Sequence, residues 1–270
     1  MSIAEQVRGG TEEKVRLGED ELTLVRGGQG RPLLVLHDEL GYPGWLNWND
    51  ELAKQHELII PLHPGFGRAP RLDWVNSTRD LAGVYARLLR ERKLAPVDVI
   101  GFSFGGWLAA EMAAMDPSLF RSMVLVGPFG IRPSEGEIAD IFAVPALNWL
   151  NSTVADPGSV SEFENLYGGN HQSPEQFEAF DDARAECARL AWQPYMYNPS
   201  LPHHLQGVRN MPTLIVWGDR DKIVPRSAMD AYARAIPGAQ VIVIEGSGHR
   251  PEVERPEQFL GAVRKHLDKN

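Results

Sequence analysis

A chain of 270 residues with 43% hydrophobic side chains can bury a large core, and suits one domain carrying an insertion better than two independent domains. Its 27 basic against 36 acidic residues give a formal net charge of −9, which argues against nucleic acid or an anionic membrane surface as a partner, since both need basic patches. No apolar run approaches the roughly twenty residues of a membrane span. The opening Met1–Gln6 lacks the apolar core of a secretory leader, and the single cysteine, Cys187, can form no internal disulfide, so the expected compartment is the reducing cytoplasm.

In chain order, Glu13–Leu17 and Glu21–Arg26 flank Gly18-Glu19-Asp20 as an opening hairpin. Gly27-Gly28-Gln29-Gly30 connects it to an apolar strand, Pro32–Leu36. Trp45–Gln55 and Thr78–Lys93 have helical composition. Val97–Ile100 is a buried-strand pattern, followed after six residues by the helix formers Trp107–Ala114, and Val124–Val126 is the next strand. Beyond Gly130 the strand–helix alternation stops until about Gln206. That stretch holds helical pieces (Ile138–Leu150 and Pro174–Leu190, with Cys187 in the second), Pro, Gly and Asn turns, and Trp149, Phe163, Tyr167, Trp192, Tyr195, Met196 and Tyr197. Alternation resumes with the strands Thr213–Trp217 and Val241–Ile244, and Glu257–Leu267 closes the chain as a helix opened by Pro256. The pattern predicts an α/β protein with a mostly parallel sheet and helices on both faces.

Chemistry concentrates at three turns. Gly101-Phe102-Ser103-Phe104-Gly105-Gly106 joins a strand to a helix so sharply that the serine must sit in a strained conformation, with the helix N-terminus beside it. Such a serine suits nucleophilic attack that generates an oxyanion, but it needs a base, and the base needs an orienting acid. Gly218-Asp219-Arg220-Asp221 after one late strand and Gly248-His249 after the next supply both, in the order Ser, Asp, His. The residues themselves prefer neither Asp219 nor Asp221. No short-spaced His/Cys/carboxylate set, phosphate loop or dinucleotide fingerprint accompanies them, so no metal or organic cofactor is expected.

These turns, with Pro64-Gly65-Phe66-Gly67-Arg68 and Gly248-His249-Arg250-Pro251, resemble the α/β-hydrolase superfamily over nearly the whole chain, in particular its capped esterases, lactonases and C–C hydrolases. The resemblance implies the α/β-hydrolase fold, with core segments 1–130 and 207–270 and a helical cap, 131–206, inserted after the sixth strand. It implies Ser103 as nucleophile, His249 as general base and Asp221, last in its turn, as orienting acid. Some relatives place that acid one strand earlier, where Gly127-Pro128-Phe129-Gly130 offers no carboxylate. The oxyanion donors implied are the backbone N–H groups of Glu39 and Phe104.

The chain departs from the family pattern in His37-Asp38-Glu39, where Asp38 stands in place of the usual glycine, and at Leu62, where an aspartate is frequent. Two carboxylates beside an oxyanion site are unfavourable unless they face solvent or arginine partners; otherwise they could select a substrate carrying a cation. His37, Asp38, Trp149, Trp192 and Tyr195 are the candidate substrate contacts, while His63 is expected to be a packed loop residue. The function expected is hydrolysis of a small-molecule carboxylic ester or lactone, macrocyclic lactones such as macrolides included, through an acyl-enzyme. C–C bond hydrolysis is the alternative and ranks second, because many such enzymes carry Trp where Arg250 stands. A small-molecule receptor that retains the triad is the non-enzymatic alternative.

Overall fold

A computed structural model describes residues 9–269 apart from 144, 168 and 170. Met1–Gln6 therefore lies outside the described residues. The strands are β1 (Thr11–Leu17), β2 (Asp20–Gly27), β3 (Arg31–Leu36), β4 (His56–Pro61), β5 (Val97–Phe102), β6 (Phe120–Val126), β7 (Thr213–Gly218) and β8 (Gln240–Ile244). They form one eight-stranded sheet in the order β1-β2-β4-β3-β5-β6-β7-β8. The pairings β1–β2 and β2–β4 are antiparallel; all the others are parallel. The helices α1 (Asn47–Ala53), α2 (Thr78–Glu91), α3 (Phe104–Met115), α7 (Arg226–Ala235), α8 (Pro251–Glu254) and α9 (Pro256–Leu267) accompany the sheet, while α4 (Ala146–Ser152), α5 (Pro174–Ala191) and α6 (Leu201–Leu205) lie between β6 and β7.

Every residue of β5 and β7 is buried, as their continuous apolar runs require of central parallel strands. β8 forms as expected but is less buried than the central strands. Its first residues are exposed, Val241 to 37%, because it is the edge strand and only one side is paired. The chain runs from β3 outward to β4, then returns past β3 to build β5 through β8 in the other direction. The β3/β5 boundary is thus the topological switch point, where open α/β sheets form a crevice at the carboxyl ends of their strands. Registers such as Leu36↔Gly101, Phe102↔Val126, Val126↔Val216 and Gly218↔Ile244 bring those ends to one edge of the sheet.

Between β6 and β7, the predicted helix Ile138–Leu150 is shorter than expected. Pro145 is the N-cap of α4 (φ −55°, ψ 153°), and the preceding backbone bonds elsewhere: Ala139 N–H donates to the Ile223 carbonyl (2.9 Å) and Ile141 N–H to the Tyr195 hydroxyl (2.7 Å). Helix α5 forms as expected because Ser173 and Gln176 cap each other reciprocally and Pro174 occupies the first turn. Cys187 is fully buried on it. Among the described residues, no helix is long and apolar enough to cross a membrane.

Candidate active site

Ser103 follows β5 directly and takes φ 49° and ψ −111°, a conformation that L-residues adopt only where the surrounding structure compels it. Its N–H donates to the Val126 carbonyl (2.8 Å), and its own carbonyl accepts from Trp107 N–H (3.1 Å) and Phe129 N–H (3.2 Å). The turn closes only because residue 105 is glycine: a Cβ there would stand 2.2 Å from the Leu36 carbonyl oxygen and 2.4 Å from that of His37. Phe104 opens α3, so its N–H is among those a helix cannot bond internally.

Across the sheet edge, His249 Nδ1 donates to Asp221 Oδ2 at 2.7 Å, with both side chains 2% exposed. Asp221 Oδ1 accepts from the N–H groups of Ile223 (2.8 Å) and Val224 (3.0 Å), which fixes the carboxylate. Asp219 is exposed and instead accepts from Ser247 N–H (3.2 Å), tying its turn to the histidine loop rather than to its own backbone. Geometry therefore separates the two carboxylates that the sequence left open. Phe129 spans the serine and the imidazole: its N–H bonds Ser103, and its ring stacks 6.0 Å from that of His249. Ser103 Oγ and His249 Nε2 are both buried without a hydrogen-bond partner among the described residues.

Burial alone would lower the His249 pKa. The charge and hydrogen bond of Asp221, aided by the Glu39 charge, outweigh it and hold the imidazole above its ordinary value.

The histidine loop is clamped from two sides. Glu254 accepts from Gly248 N–H (2.5 Å), Ser247 Oγ (3.1 Å) and, with its other oxygen, Ala155 N–H (2.6 Å). His249 N–H donates to the Thr153 carbonyl (2.8 Å). Arg250, buried to 3% exposure, donates from Nη1 to Asp38 Oδ2 (2.5 Å) and from Nε to Thr153 Oγ1 (2.9 Å), and lies 5.6 Å from the Tyr167 ring centroid. Tyr167 donates to Asp38 Oδ1 (2.7 Å). Asp38 thus has the arginine partner expected of it, although it is buried and not solvated. Glu39 does not: its Oε1 accepts from Trp149 Nε1 (3.1 Å), and its Oε2 is buried with no partner among the described residues.

The His37 and His63 rings lie 3.6 Å apart between centroids, tilted by 36°. His37 Nε2 accepts from His63 N–H (2.9 Å), so its Nδ1 carries the proton toward the Asp38 carbonyl (3.0 Å). His63 lies 2.6 Å from the Tyr85 hydroxyl through Nδ1 and 3.0 Å from the His37 carbonyl through Nε2. Burial pushes His37 down to about 4 and His63 well below its ordinary value, the His37 charge adding to the latter.

Of the expected aromatic contacts, Trp149 is 1% exposed and bonded to Glu39, and Tyr195 is half-buried with its hydroxyl on Ala139 and Ile141. Trp192 is a correction. It caps the C-terminus of α5 and is 46% exposed, its ring packed edge-on against Tyr195 (5.3 Å) and against Phe142 (6.1 Å). A cavity of about 320 Å³ lined by His37, Leu40, Phe66, Tyr167 and Phe180 adjoins the site but is not lined by Ser103 or His249. The Arg250–Asp38–Tyr167 staple and the Glu254 clamp went unread in the sequence; an arginine after the histidine together with an acidic pair in a distant loop was the available signal.

Among the described residues, no three His, Cys, Asp or Glu side chains cluster as a metal site would require. Residues 33–262 match the alpha/beta hydrolase family. Over 266 residues the chain is 29% identical to the 2-hydroxymuconate semialdehyde hydrolase of Pseudomonas sp. strain CF600, covering 87% of this chain and 86% of that one. It is 26% identical to the pimeloyl-[acyl-carrier protein] methyl ester esterase of Aeromonas salmonicida strain A449, covering 90% and 98%. In fold it is similar to the 2-hydroxy-6-oxo-6-phenylhexa-2,4-dienoate hydrolase of Rhodococcus sp. strain RHA1, with a TM-score of 0.75 at 19% identity over 96% and 99% of the two chains. A match running from β3 into α9, on a sheet whose switch point carries a strained serine, makes this chain a member of the alpha/beta hydrolase family.

Proposed function

We propose that the protein is a serine hydrolase of small carboxylic esters or lactones, with Ser103 as nucleophile, His249 as base and then acid, and Asp221 as orienting acid. The observation that carries this reading is the Asp221–His249 bond of 2.7 Å, which leaves Nε2 as the imidazole's open nitrogen on the same sheet edge as a serine at φ 49°. Ser103 attacks the carbonyl as His249 takes its proton, and the N–H groups of Glu39 and Phe104 hold the oxyanion. The alcohol leaves with the proton from His249, and water then hydrolyses the acyl-enzyme through the same base.

The segment 131–206 serves in this reading as a cap, with Trp149 and Tyr195 over the acyl or alcohol group and His37 and Asp38 beneath it. Macrocyclic lactones, macrolides among them, belong to the same substrate class. The buried, unpaired Cys187 fits a cytoplasmic protein.

C–C bond hydrolysis is the second reading, favoured by the likeness to the 2-hydroxymuconate semialdehyde hydrolase. The test is turnover of a chain-length series of p-nitrophenyl esters and several lactones, beside 2-hydroxymuconate semialdehyde, by wild type and Ser103→Ala. Ester turnover lost in the variant supports the first reading. Turnover of the semialdehyde alone moves the assignment to the second. Failure of a fluorophosphonate to label Ser103 would count against both and favour a receptor.

A further inference from the structure

The loop after β3 carries two adjacent carboxylates, and their surroundings differ. Asp38 is neutralised by Arg250 and receives Tyr167 and Leu40 N–H (2.8 Å) as well. Glu39 is fully buried, yet its one neighbouring donor is the Trp149 indole, and Oε2 has no partner among the described residues. An unpaired carboxylate oxygen in a low-dielectric site costs several kcal/mol unless something compensates it. His37 and Leu40, which flank Asp38-Glu39 in this loop, line the cavity of about 320 Å³ that adjoins the site. The Glu39 charge contributes to raising His249 on one side and the Tyr195 phenol and Cys187 thiol on the other. Three carboxylates, those of Asp38, Glu39 and Asp221, thus surround one guanidinium and one imidazole. An oxyanion forming at the Glu39 N–H would meet that excess of negative charge.

A positive charge on the substrate removes both costs. It compensates Oε2, and it offsets the repulsion the oxyanion would feel. The Trp149 indole, bonded to Oε1 through its N–H, is the aromatic ring next to this carboxylate, and aromatic faces attract ammonium groups.

Resting on the reading of the protein as a serine ester hydrolase, we infer that Glu39 is a specificity residue whose carboxylate receives a substituted-ammonium group of the substrate. The substrate class narrows to esters or lactones carrying a protonated or quaternary amine within reach of the scissile carbonyl.

Two matched substrate pairs test this, one with the charge on the alcohol side and one with it on the acyl side. They are acetylthiocholine against 3,3-dimethylbutyl thioacetate, and the p-nitrophenyl ester of trimethylammonioacetic acid against that of 3,3-dimethylbutanoic acid. With each kcat/KM divided by that substrate's spontaneous hydrolysis rate, wild type should prefer the cation in at least one pair by about tenfold or more, and Glu39→Gln, which keeps the backbone donor, should cut that ratio to within about threefold. Trp149→Phe keeps the carboxylate and should keep the preference.

Ratios near one for both pairs in wild type, or a ratio untouched by Glu39→Gln, overturn the inference while leaving the serine mechanism standing. Equal loss in Glu39→Gln and Trp149→Phe overturns it too, because Glu39 would then act only by placing the indole. If no ester is turned over, the serine esterase reading itself fails. The charge site is then read by binding: benzyltrimethylammonium should raise the Tm of wild type, and no rise overturns the site as well.

Discussion

A buried histidine pair and a buried histidine–aspartate pair lie at the same edge of the sheet, and their imidazoles have been driven in opposite directions. His37 and His63 face each other, a hydroxyl and backbone groups; burial therefore decides, and both are held neutral far into acid. His249 is as deeply buried, but a carboxylate 2.7 Å away reverses the outcome. Asp38 could have done the same for His37, since its carbonyl already receives the His37 ring. Its carboxylate goes to Arg250 instead. Burial sets the sign of a shift only until a committed partner charge is present.

The largest way to break the contrast is Asp221→Asn. It removes the charge that holds the His249 tautomer, and kcat on a p-nitrophenyl ester should fall by about 10³–10⁴-fold. Asp219→Asn keeps an acceptor for Ser247 N–H and should cost less than about tenfold. A larger loss from Asp219→Asn would transfer the orienting role to it.

Arg250→Met comes next. It strands Asp38 as an uncompensated buried charge and should cost about 3–5 kcal/mol in urea unfolding, part of which Arg250→Met/Asp38→Asn should restore. In the single variant the freed Asp38 charge should also raise the His37 pKa, read by NMR titration.

The neutral pair predicts acid lability. The unfolded chain binds protons at His37 near pH 6.5, whereas the folded chain does so only near about 4. The unfolded state therefore holds more protons in that window, and stability falls as pH drops through it, by about 3 kcal/mol at pH 4 from His37 alone. His249 contributes with the opposite sign, its stabilisation being full below its unfolded pKa and lost as pH rises through the raised folded one. Unfolding midpoints at pH 7, 6 and 5, with and without His37→Phe, check the first effect.

The smallest effect is kinetic. Because His249 is held above its ordinary value, the acid limb of kcat/KM should turn above about pH 6.5, and Asp221→Asn should move it lower. A rate flat from acid to alkaline pH would exclude His249 as the base.

The parts of the molecule legible in sequence were those set by local rules. Buried strands announced themselves as β-branched runs, the Ser103 turn by its glycines, and α9 by Pro256. The illegible parts depend on partners distant in the chain. Asp221 and Asp219 are two residues apart in one turn, and only the arrival of His249 from the next strand distinguishes them. Arg250 is next to His249 in the chain, but its partner Asp38 is 212 residues away and reaches it only through β3. Trp192 reads as a substrate contact, but its ring packs on Phe142 and Tyr195 and stays 46% exposed. Ile138–Leu150 has helical composition, yet Tyr195 and Ile223 take its backbone hydrogen bonds.

The anchoring of His249 to Thr153 also bears on how such proteins can be recombined. Gly248 packs so closely on this segment that a Cβ there would stand 2.8 Å from the Ala155 nitrogen, and the bond from His249 N–H ends on the carbonyl beside it. A chimera that exchanges residues 131–206 for those of a relative would replace part of the seat of the imidazole along with the helices between β6 and β7. Such exchanges should fail unless residues 153–155 stay with the recipient, which places the useful crossover point after 155 and not at the end of β6.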